Sequence, residues 1–190
     1  MKKLVLAATL IMGAIGVNAQ SLEIIPKAGI NIASQAIKGA SNEKSKVGFQ
    51  GGVGLNILTG AGGFSVQPEL NFVSKGTSFK TRGKKENYNL NYLELPVLAK
   101  YSFGQVYVNA GPSIGFLLGQ SDKSKVAIGE MKKIDFGIQM GAGVAIPAGP
   151  GKVIVDGRYN LGLSNISDVK SADIKNRGIM VSVGYAIALK

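Results

Sequence analysis

The chain has 190 residues, a net charge of +11, and neither cysteine nor histidine. Its length is typical of one domain, and the lack of cysteine excludes a disulfide framework or a lipid-modified N-terminus. The lack of histidine excludes a Ser-His-Asp relay and any metal site built on His or Cys, and no nucleophile elbow is present, so we expect no enzymatic activity, no cofactor, and no catalytic or metal site.

The first residues have the pattern of an export signal. Met1-Lys2-Lys3 is a positive segment, and residues 4–17 form an apolar stretch. Val17-Asn18-Ala19 places small residues at the two positions that a signal peptidase reads. We therefore predict that residues 1–19 are a cleaved signal peptide. An uncleaved membrane anchor is the alternative, but the apolar stretch is short for a bilayer span and no stop-transfer pattern follows it.

Residues 20–190 alternate between apolar and polar or small residues. Alternation with period two places every second side chain on one face of a strand. The pattern predicts eight strands: Glu23–Ser34, Val47–Leu58, Phe64–Ser74, Tyr88–Phe103, Val106–Leu118, Ile134–Ile146, Val153–Leu163 and Gly178–Leu189. In Tyr88–Phe103 the alternation changes phase near Tyr92-Leu93, which predicts a β-bulge.

One face of each predicted strand is apolar along its whole length. In the second strand, for example, Phe49, Val53 and Leu55 share a face opposite to that of Gln50 and Asn56. The polar face elsewhere carries charged residues, so a soluble lipocalin-like barrel, which has an apolar interior, would need both faces reversed. An outward apolar face needs lipid around it, and within lipid only a closed sheet can satisfy all the hydrogen bonds of the strand backbone.

The connections between the strands alternate between long and short. Residues 59–63, 104–105 and 147–152 are short and turn-like, and the other four connections are longer and polar. Bacterial outer-membrane barrels have this arrangement, with their short turns in the periplasm. We therefore predict an all-β fold for residues 20–190, an eight-stranded antiparallel up-and-down transmembrane β-barrel.

Several strand motifs resemble a known family. They are Gly29-Ile30-Asn31, Gln67-Pro68-Glu69-Leu70 with Ser74-Lys75-Gly76, Asn91-Tyr92-Leu93-Glu94-Leu95-Pro96-Val97, Ala110-Gly111-Pro112, Asp135-Phe136-Gly137, Arg158-Tyr159-Asn160-Leu161-Gly162-Leu163 and Asn176-Arg177-Gly178-Ile179. In these motifs the chain resembles the PorT-like outer-membrane β-barrel family of Gram-negative bacteria. The resemblance implies an eight-stranded outer-membrane barrel, and some relatives have a role in secretion or maturation. The chain departs from most outer-membrane barrels in ending without a terminal aromatic residue.

Charged residues on the inward face predict a cluster inside the barrel. We expect Glu69 and Glu94 to lie nearly opposite each other, and two adjacent carboxylates need a cation or a proton. Arg158 and Lys100 are the candidates for that cation. The cluster is interpreted as a packed salt-bridge plug, with a gate or proton path as the alternative. Its predicted members are Glu69, Glu94, Lys100, Asp135, Asp156 and Arg158.

The positive charge is concentrated in the four long loops. Without Lys2 and Lys3 the net charge is +9, and the loop residues account for all of it. The second loop is the most basic. Its residues Lys80, Arg82, Lys84 and Lys85 are predicted to bind outer-membrane lipid, lipopolysaccharide or acidic surface polysaccharide. A solvated face without a ligand is the alternative, and nucleic acid is disfavoured because the loops lack interleaved aromatic residues.

These observations predict a non-enzymatic outer-membrane β-barrel of a Gram-negative bacterium, inserted as a monomer by the outer-membrane assembly machinery. Its expected role is structural or surface-interacting, through basic extracellular loops. A narrow, gated, porin-like transport pore is one alternative, because the interior is charged. An accessory component of a secretion or surface-assembly system is another, because the PorT-like resemblance implies it.

Overall fold

The computed structural model describes residues 21–37, 45–60, 62–81, 84–120, 131–168 and 174–189, without the side chains of 35–37, 77–81 and 84–88. The described residues form one closed antiparallel barrel of eight strands joined in chain order, which confirms the predicted fold class. The predicted signal peptide, residues 1–19, lies outside them. The strands are β1 Ser21–Ile37, β2 Lys46–Leu58, β3 Phe64–Thr81, β4 Lys84–Phe103, β5 Val106–Gln120, β6 Ile134–Ala148, β7 Gly151–Gly162 and β8 Ile174–Leu189.

The barrel wall is apolar on the outside, as the alternation predicts. Phe49 and Phe136 are each more than half exposed, whereas their chain neighbours Gln50 and Asp135 are buried in the interior. Exposed apolar side chains this numerous are stable only in contact with lipid or with another apolar surface. No helix within the described residues is long and apolar enough to cross a membrane.

The two ends of the barrel differ. At one end, called the turn end, tight turns join β2 to β3, β4 to β5 and β6 to β7. Gly104 and Gly149 adopt φ angles of 64° and 58° in two of these turns, a left-handed conformation that glycine tolerates best. The remaining connections join strands at the opposite end, called the loop end. The predicted alternation of short and long connections is confirmed except between β3 and β4, whose paired strands leave two residues, 82 and 83, between them.

The hairpin of β3 and β4 is longer than the sequence pattern predicts. Pairing continues beyond Ser74 as far as Thr81 opposite Lys84. The segment predicted as the second loop is therefore mostly a paired ribbon, and the prediction of an irregular loop there was wrong. Lys80, Lys84 and Lys85 belong to its strands, whereas Arg82 lies outside the described residues.

The predicted bulge is present, but on the neighbouring strand. Asn91 is opposite Gly119 and Tyr92 is opposite Leu117, so the extra residue is Leu118 of β5. The prediction of a phase change inside β4 was wrong, because the inward alternation continues without interruption from residue 90 to residue 100. The pattern seemed to change phase because some inward residues, such as Tyr92, are apolar, and apolar residues were taken to face outward.

Inward glycines make room for long interior side chains. Gly141 is opposite Arg158 in the register of β6 and β7, and a Cβ atom at Gly141 would lie 2.7 Å from Cγ of Arg158. At Gly143 the same atom would lie 2.5 Å from Cζ of Tyr107. These contacts are too short for carbon atoms, so both glycines are required by packing.

We expect Gly141→Ala to destabilise the barrel by about 1–3 kcal/mol, the usual range for overpacking. The matched control is Gly157→Ala on the adjacent strand, where a Cβ atom would face outward and lie 3.9 Å from the nearest atom, the carbonyl oxygen of Ala142. A closed barrel migrates differently on a gel before and after boiling, and this shift reports the folded fraction. The measurement is the urea concentration at which half of the protein has lost the folded band. Equal midpoints for the two variants would contradict this packing role.

Candidate functional site: the bridged lumen and the basic hairpin

All six predicted interior residues lie inside the barrel and are buried. Each has at most 4% of its surface exposed. They do not form a single group, however, because the register separates them along the lumen. The six residues are Glu69, Glu94, Lys100, Asp135, Asp156 and Arg158.

Arg158 and Glu69 form the centre of one group, called the central cluster, with Lys27 and Asp156. The Arg158 guanidinium donates two hydrogen bonds to the Glu69 carboxylate, Nη1 to Oε2 at 2.8 Å and Nη2 to Oε1 at 2.9 Å. Lys27 Nζ lies 2.5 Å from Oε2 of the same carboxylate. Arg158 Nε lies 2.5 Å from Oδ1 of Asp156. Two cations therefore balance two carboxylates.

Neutral side chains complete the central cluster. Gln67 and Asn71 donate to Glu69 at 2.6 and 2.8 Å. Tyr107 and Asn109 donate to Oδ2 of Asp156 at 2.7 and 3.0 Å. Because buried carboxylates are costly unless they are paired and hydrogen-bonded, these donors are what makes the cluster tolerable in a closed lumen.

Glu94 belongs to a second group, called the loop-end cluster, with Lys75 and Asp135. Lys75 forms ion pairs with Glu94 and with Asp135, the latter at 3.3 Å. Gln139 Nε2 donates to Glu94 at 3.0 Å, and Asn176 Nδ2 donates to Asp135 at 2.9 Å. The prediction that Arg158 or Lys100 neutralises a Glu69–Glu94 pair was therefore wrong: register places the two carboxylates in different clusters.

Lys75 is the interior residue that the sequence pattern misplaced. The third predicted strand ends at Ser74, which leaves Lys75 in the second loop, yet Lys75 is 3% exposed and holds the loop-end cluster together. A signal for this was present, because positions 69, 71, 73 and 75 share one face of a strand. The polar run that follows Ser74 concealed it by suggesting that the strand had already ended.

Lys100 is inside the barrel but does not neutralise a predicted carboxylate. Its Nζ donates to Oε1 of Gln67 at 3.4 Å and lies 3.9 Å from the centre of the Tyr107 ring. Among the described residues, no carboxylate oxygen lies within 4.0 Å of it. Its partners are thus an amide and an aromatic face, which is a weak environment for a buried ammonium.

Two apolar clusters inside the lumen were not predicted. At the loop end, Leu90 and Tyr92 pack with Met131, Ile166 and Ile174. Met131 lies shortly before β6 and Ile166 shortly after β7, and both side chains are buried against Leu90 and Tyr92. At the turn end, a second cluster consists of Ile25, Tyr107, Ile154 and Ala186.

The turn end also contains an ion pair and a cavity. Lys152 Nζ lies 2.7 Å from Oε1 of Glu23, and Asn56 donates to Oε2 of Glu23 at 2.8 Å. A cavity of about 220 Å³ lies beside them and is lined by Lys100 as well. The central cluster and the loop-end cluster lie farther along the lumen.

These groups bridge the barrel from wall to wall. Arg158 of β7 and Glu69 of β3 are on opposite sides of an eight-stranded closed sheet, so their ion pair crosses the full lumen. Lys75 of β3 reaches Asp135 of β6 in the same way. Side chains of this size fill an eight-stranded barrel. Any continuous channel would require these buried pairs to separate.

The basic hairpin consists of residues 77–81 of β3 and residues 84–88 of β4, which pair at the loop end. Its register places Lys80 directly opposite Lys85. β3 and β4 have 18 and 20 residues, whereas a membrane-crossing strand needs about 9–11. Both strands are therefore longer than a bilayer crossing requires, and the hairpin beyond residue 76 has five residues of each strand, 77–81 and 84–88, or about 17 Å of ribbon.

Solved structures of similar proteins share this fold. Ail, the attachment invasion locus protein of Yersinia pestis, matches with 17% identity over 88% of this chain and 99% of its own, at a TM-score of 0.51. OprG of Pseudomonas aeruginosa matches with 11% identity over 88% and 95%, at 0.52. Neisserial surface protein A matches with 12% identity over 87% and 96%, at 0.51. At these identities the likeness concerns the fold alone.

Sequence comparison gives the family. No curated protein matches the chain significantly. The family model described as "Outer membrane protein beta-barrel domain" matches residues 18–168, which is most of the chain. The apolar outer wall and the closed eight-stranded sheet agree with that match. The chain therefore belongs to the outer membrane protein beta-barrel domain family.

Proposed function

We propose that this protein is a non-enzymatic surface-interaction barrel whose basic hairpin binds anionic glycans, namely lipopolysaccharide or acidic surface polysaccharide. The observation that supports the proposal is the length of β3 and β4, 18 and 20 residues, whose pairing continues as far as Thr81 opposite Lys84. Lys80, Lys84 and Lys85 belong to the end of this hairpin, and Arg82 follows Thr81 in the sequence. Four cations within six positions create a local positive potential that attracts sulfate, phosphate and carboxylate groups.

The bridged lumen supports a surface role over a transport role. A pore would need a path past the Arg158–Glu69 pair and past the apolar cluster at the loop end, and breaking a buried ion pair is costly. The interior therefore acts as a rigid plug in our proposal. The hairpin beyond residue 76 is separate from these packed clusters, so in our proposal it can contact a partner without disturbing them.

The structure of Ail was determined in complex with the heparin analogue sucrose octasulfate, a sulfated sugar. Our proposal extends that ligand chemistry, strongly anionic carbohydrate, to the present chain. It does not extend the binding residues, because 17% identity carries the fold only. The candidate residues here are chosen on charge and on their place in the hairpin.

The proposal includes the setting in which the barrel works. Residues 1–19 are removed as a signal peptide, and the mature monomer is inserted by the outer-membrane assembly machinery with its turn end in the periplasm. Membership of the PorT-like group is part of the proposal and rests on the strand motifs quoted above. An accessory role in secretion or surface assembly would use the same exposed hairpin.

Replacing Lys80, Arg82, Lys84 and Lys85 with glutamine is expected to weaken binding to lipopolysaccharide by at least tenfold at low salt. Exposed charges act over a Debye length of about 8 Å at physiological ionic strength, so wild-type binding should also fall steeply as salt rises. The measurement uses the barrel in zwitterionic nanodiscs and phosphatidylcholine vesicles of equal size, with and without lipopolysaccharide.

The matched control replaces Lys123, Lys125, Lys132 and Lys133 with glutamine, which removes the same charge from the connection between β5 and β6. The control should retain most of the binding, and both variants should keep the wild-type heat stability. Equal losses in the two variants would show a general effect of net charge. Unchanged binding in the hairpin variant would show that the hairpin is only a solvated surface.

A further inference from the structure

Polar side chains line the cavity at the turn end. It has a volume of about 220 Å³, equal to that of about seven waters in the liquid. This is more than a single-atom ion needs and is suitable for a small organic molecule. Its polar lining residues are Glu23, Asn56, Ser65, Lys100, Ser102, Gln105 and Lys152.

The charges of the lining do not balance. Lys100 and Lys152 are the cations and Glu23 is the carboxylate among the lining residues, which leaves one positive charge in excess. Glu23 is already engaged by Lys152 at 2.7 Å and by Asn56 at 2.8 Å. The excess charge is therefore on Lys100.

Lys100 differs from the other described cations of the lumen. Lys27, Lys75 and Arg158 each have a carboxylate partner within 4.0 Å. Lys100 is equally buried, at 4% exposure, but among the described residues it donates to an amide oxygen and lies over the Tyr107 ring, with no carboxylate oxygen within 4.0 Å. A buried charge without a counter-charge is unfavourable, so an anion in the cavity would stabilise the folded barrel.

The oxygens of Asp156 are engaged by partners other than Lys100. Its Oδ1 lies 2.5 Å from Nε of Arg158. Its Oδ2 accepts hydrogen bonds from Tyr107 at 2.7 Å and Asn109 at 3.0 Å. Lys100 lies over the face of the Tyr107 ring, and the hydroxyl of the same ring contacts Asp156. The central cluster is thus complete without Lys100.

We infer that the turn-end cavity binds one small carboxylate anion, with the Lys100 ammonium as its principal ligand. A monovalent anion balances the lining, whereas a more highly charged one would be repelled by Glu23. Ser65 and Ser102 add hydroxyl donors to the same lining. Lys152, whose side chain is 42% exposed, marks the entrance. The site faces away from the basic hairpin and does not depend on the function proposed for it.

The test is a titration of the folded barrel in detergent micelles with sodium acetate, measured by isothermal calorimetry at constant ionic strength set with sodium chloride. We expect saturable binding of one acetate per barrel. Lys100→Met keeps the length of the side chain without its charge and should weaken acetate binding by at least tenfold. Lys133→Met, an exposed lysine at the opposite end, should bind as wild type does.

Folding is checked for each variant by the heat-dependent gel shift. If Lys100→Met does not fold, Lys152→Gln at the exposed entrance provides the second test, because it reduces the net charge of the lining to zero and should weaken binding several-fold. Absence of saturable acetate binding by the wild type would overturn the inference. So would equal binding by Lys100→Met and wild type, or a chloride affinity equal to that for acetate.

Discussion

Replacing Arg158 with alanine is expected to destabilise the barrel by about 3–5 kcal/mol, the usual cost of removing one partner from a buried ion pair. The substitution removes two hydrogen bonds to Glu69 and the contact with Asp156. Lys27 would then be the one remaining cation of the central cluster for two buried carboxylates. The measurement is the urea midpoint of the refolded barrel, followed by far-ultraviolet circular dichroism and by the gel shift.

A double-mutant cycle tests the pairing itself. Adding Glu69→Gln to Arg158→Ala removes one of the two carboxylates that would otherwise share Lys27 as their remaining cation, and should recover part of the lost stability, with a coupling energy above about 1 kcal/mol. Glu94→Gln is the matched control, because Glu94 shares no partner with Arg158 and belongs to the loop-end cluster. Its effect should add to that of Arg158→Ala. Coupling to Glu94 rather than to Glu69 would contradict the observed division into two clusters.

The alternation of the sequence predicted which residues form the outer and inner faces of the barrel wall, because the direction of each side chain is set within its own strand. Period two decides whether a residue points outward or inward without reference to any other strand. Phe49 and Phe136 were therefore placed outward, and Glu69 and Asp156 inward, from the sequence alone. The family match and the closed sheet confirm the fold class that this pattern indicated.

The partners of the interior charges could not be predicted in the same way. Which carboxylate meets Arg158 depends on the register of every strand between β3 and β7, and each register can shift by two residues without exposing the polar face. Glu69 and Glu94 are close in the register, since Asn71 is opposite Glu94. Local pattern cannot reveal that one reaches Arg158 and the other Lys75.

The apolar clusters inside the lumen were missed for a different reason. Leu90 and Tyr92 share the inward face with Glu94, so counting back from Glu94 would have placed them inside. The assumption that a membrane barrel has a uniformly polar interior favoured a phase change instead. Met131 and Ile166 gave no such signal, because both lie outside the predicted strands, where the period of two does not apply.

Lys75→Met is expected to destabilise the barrel by about 3 kcal/mol, because it leaves Glu94 and Asp135 buried without a cation. The hydrogen bonds from Gln139 and Asn176 remain but cannot replace the lost charge. An exposed loop lysine would behave differently, since surface substitutions usually change stability by less than about 0.5 kcal/mol.

The control for this substitution is Lys133→Met, which removes the same charge from an exposed position at the loop end. Adding Glu94→Gln to Lys75→Met should recover part of the stability, because it removes one of the two unpaired carboxylates. The urea midpoint is again the measurement, in the same detergent for all variants. If Lys75→Met and Lys133→Met were equally stable, Lys75 would not hold the loop-end cluster, and the lumen would be open to rearrangement where our proposal requires a rigid plug.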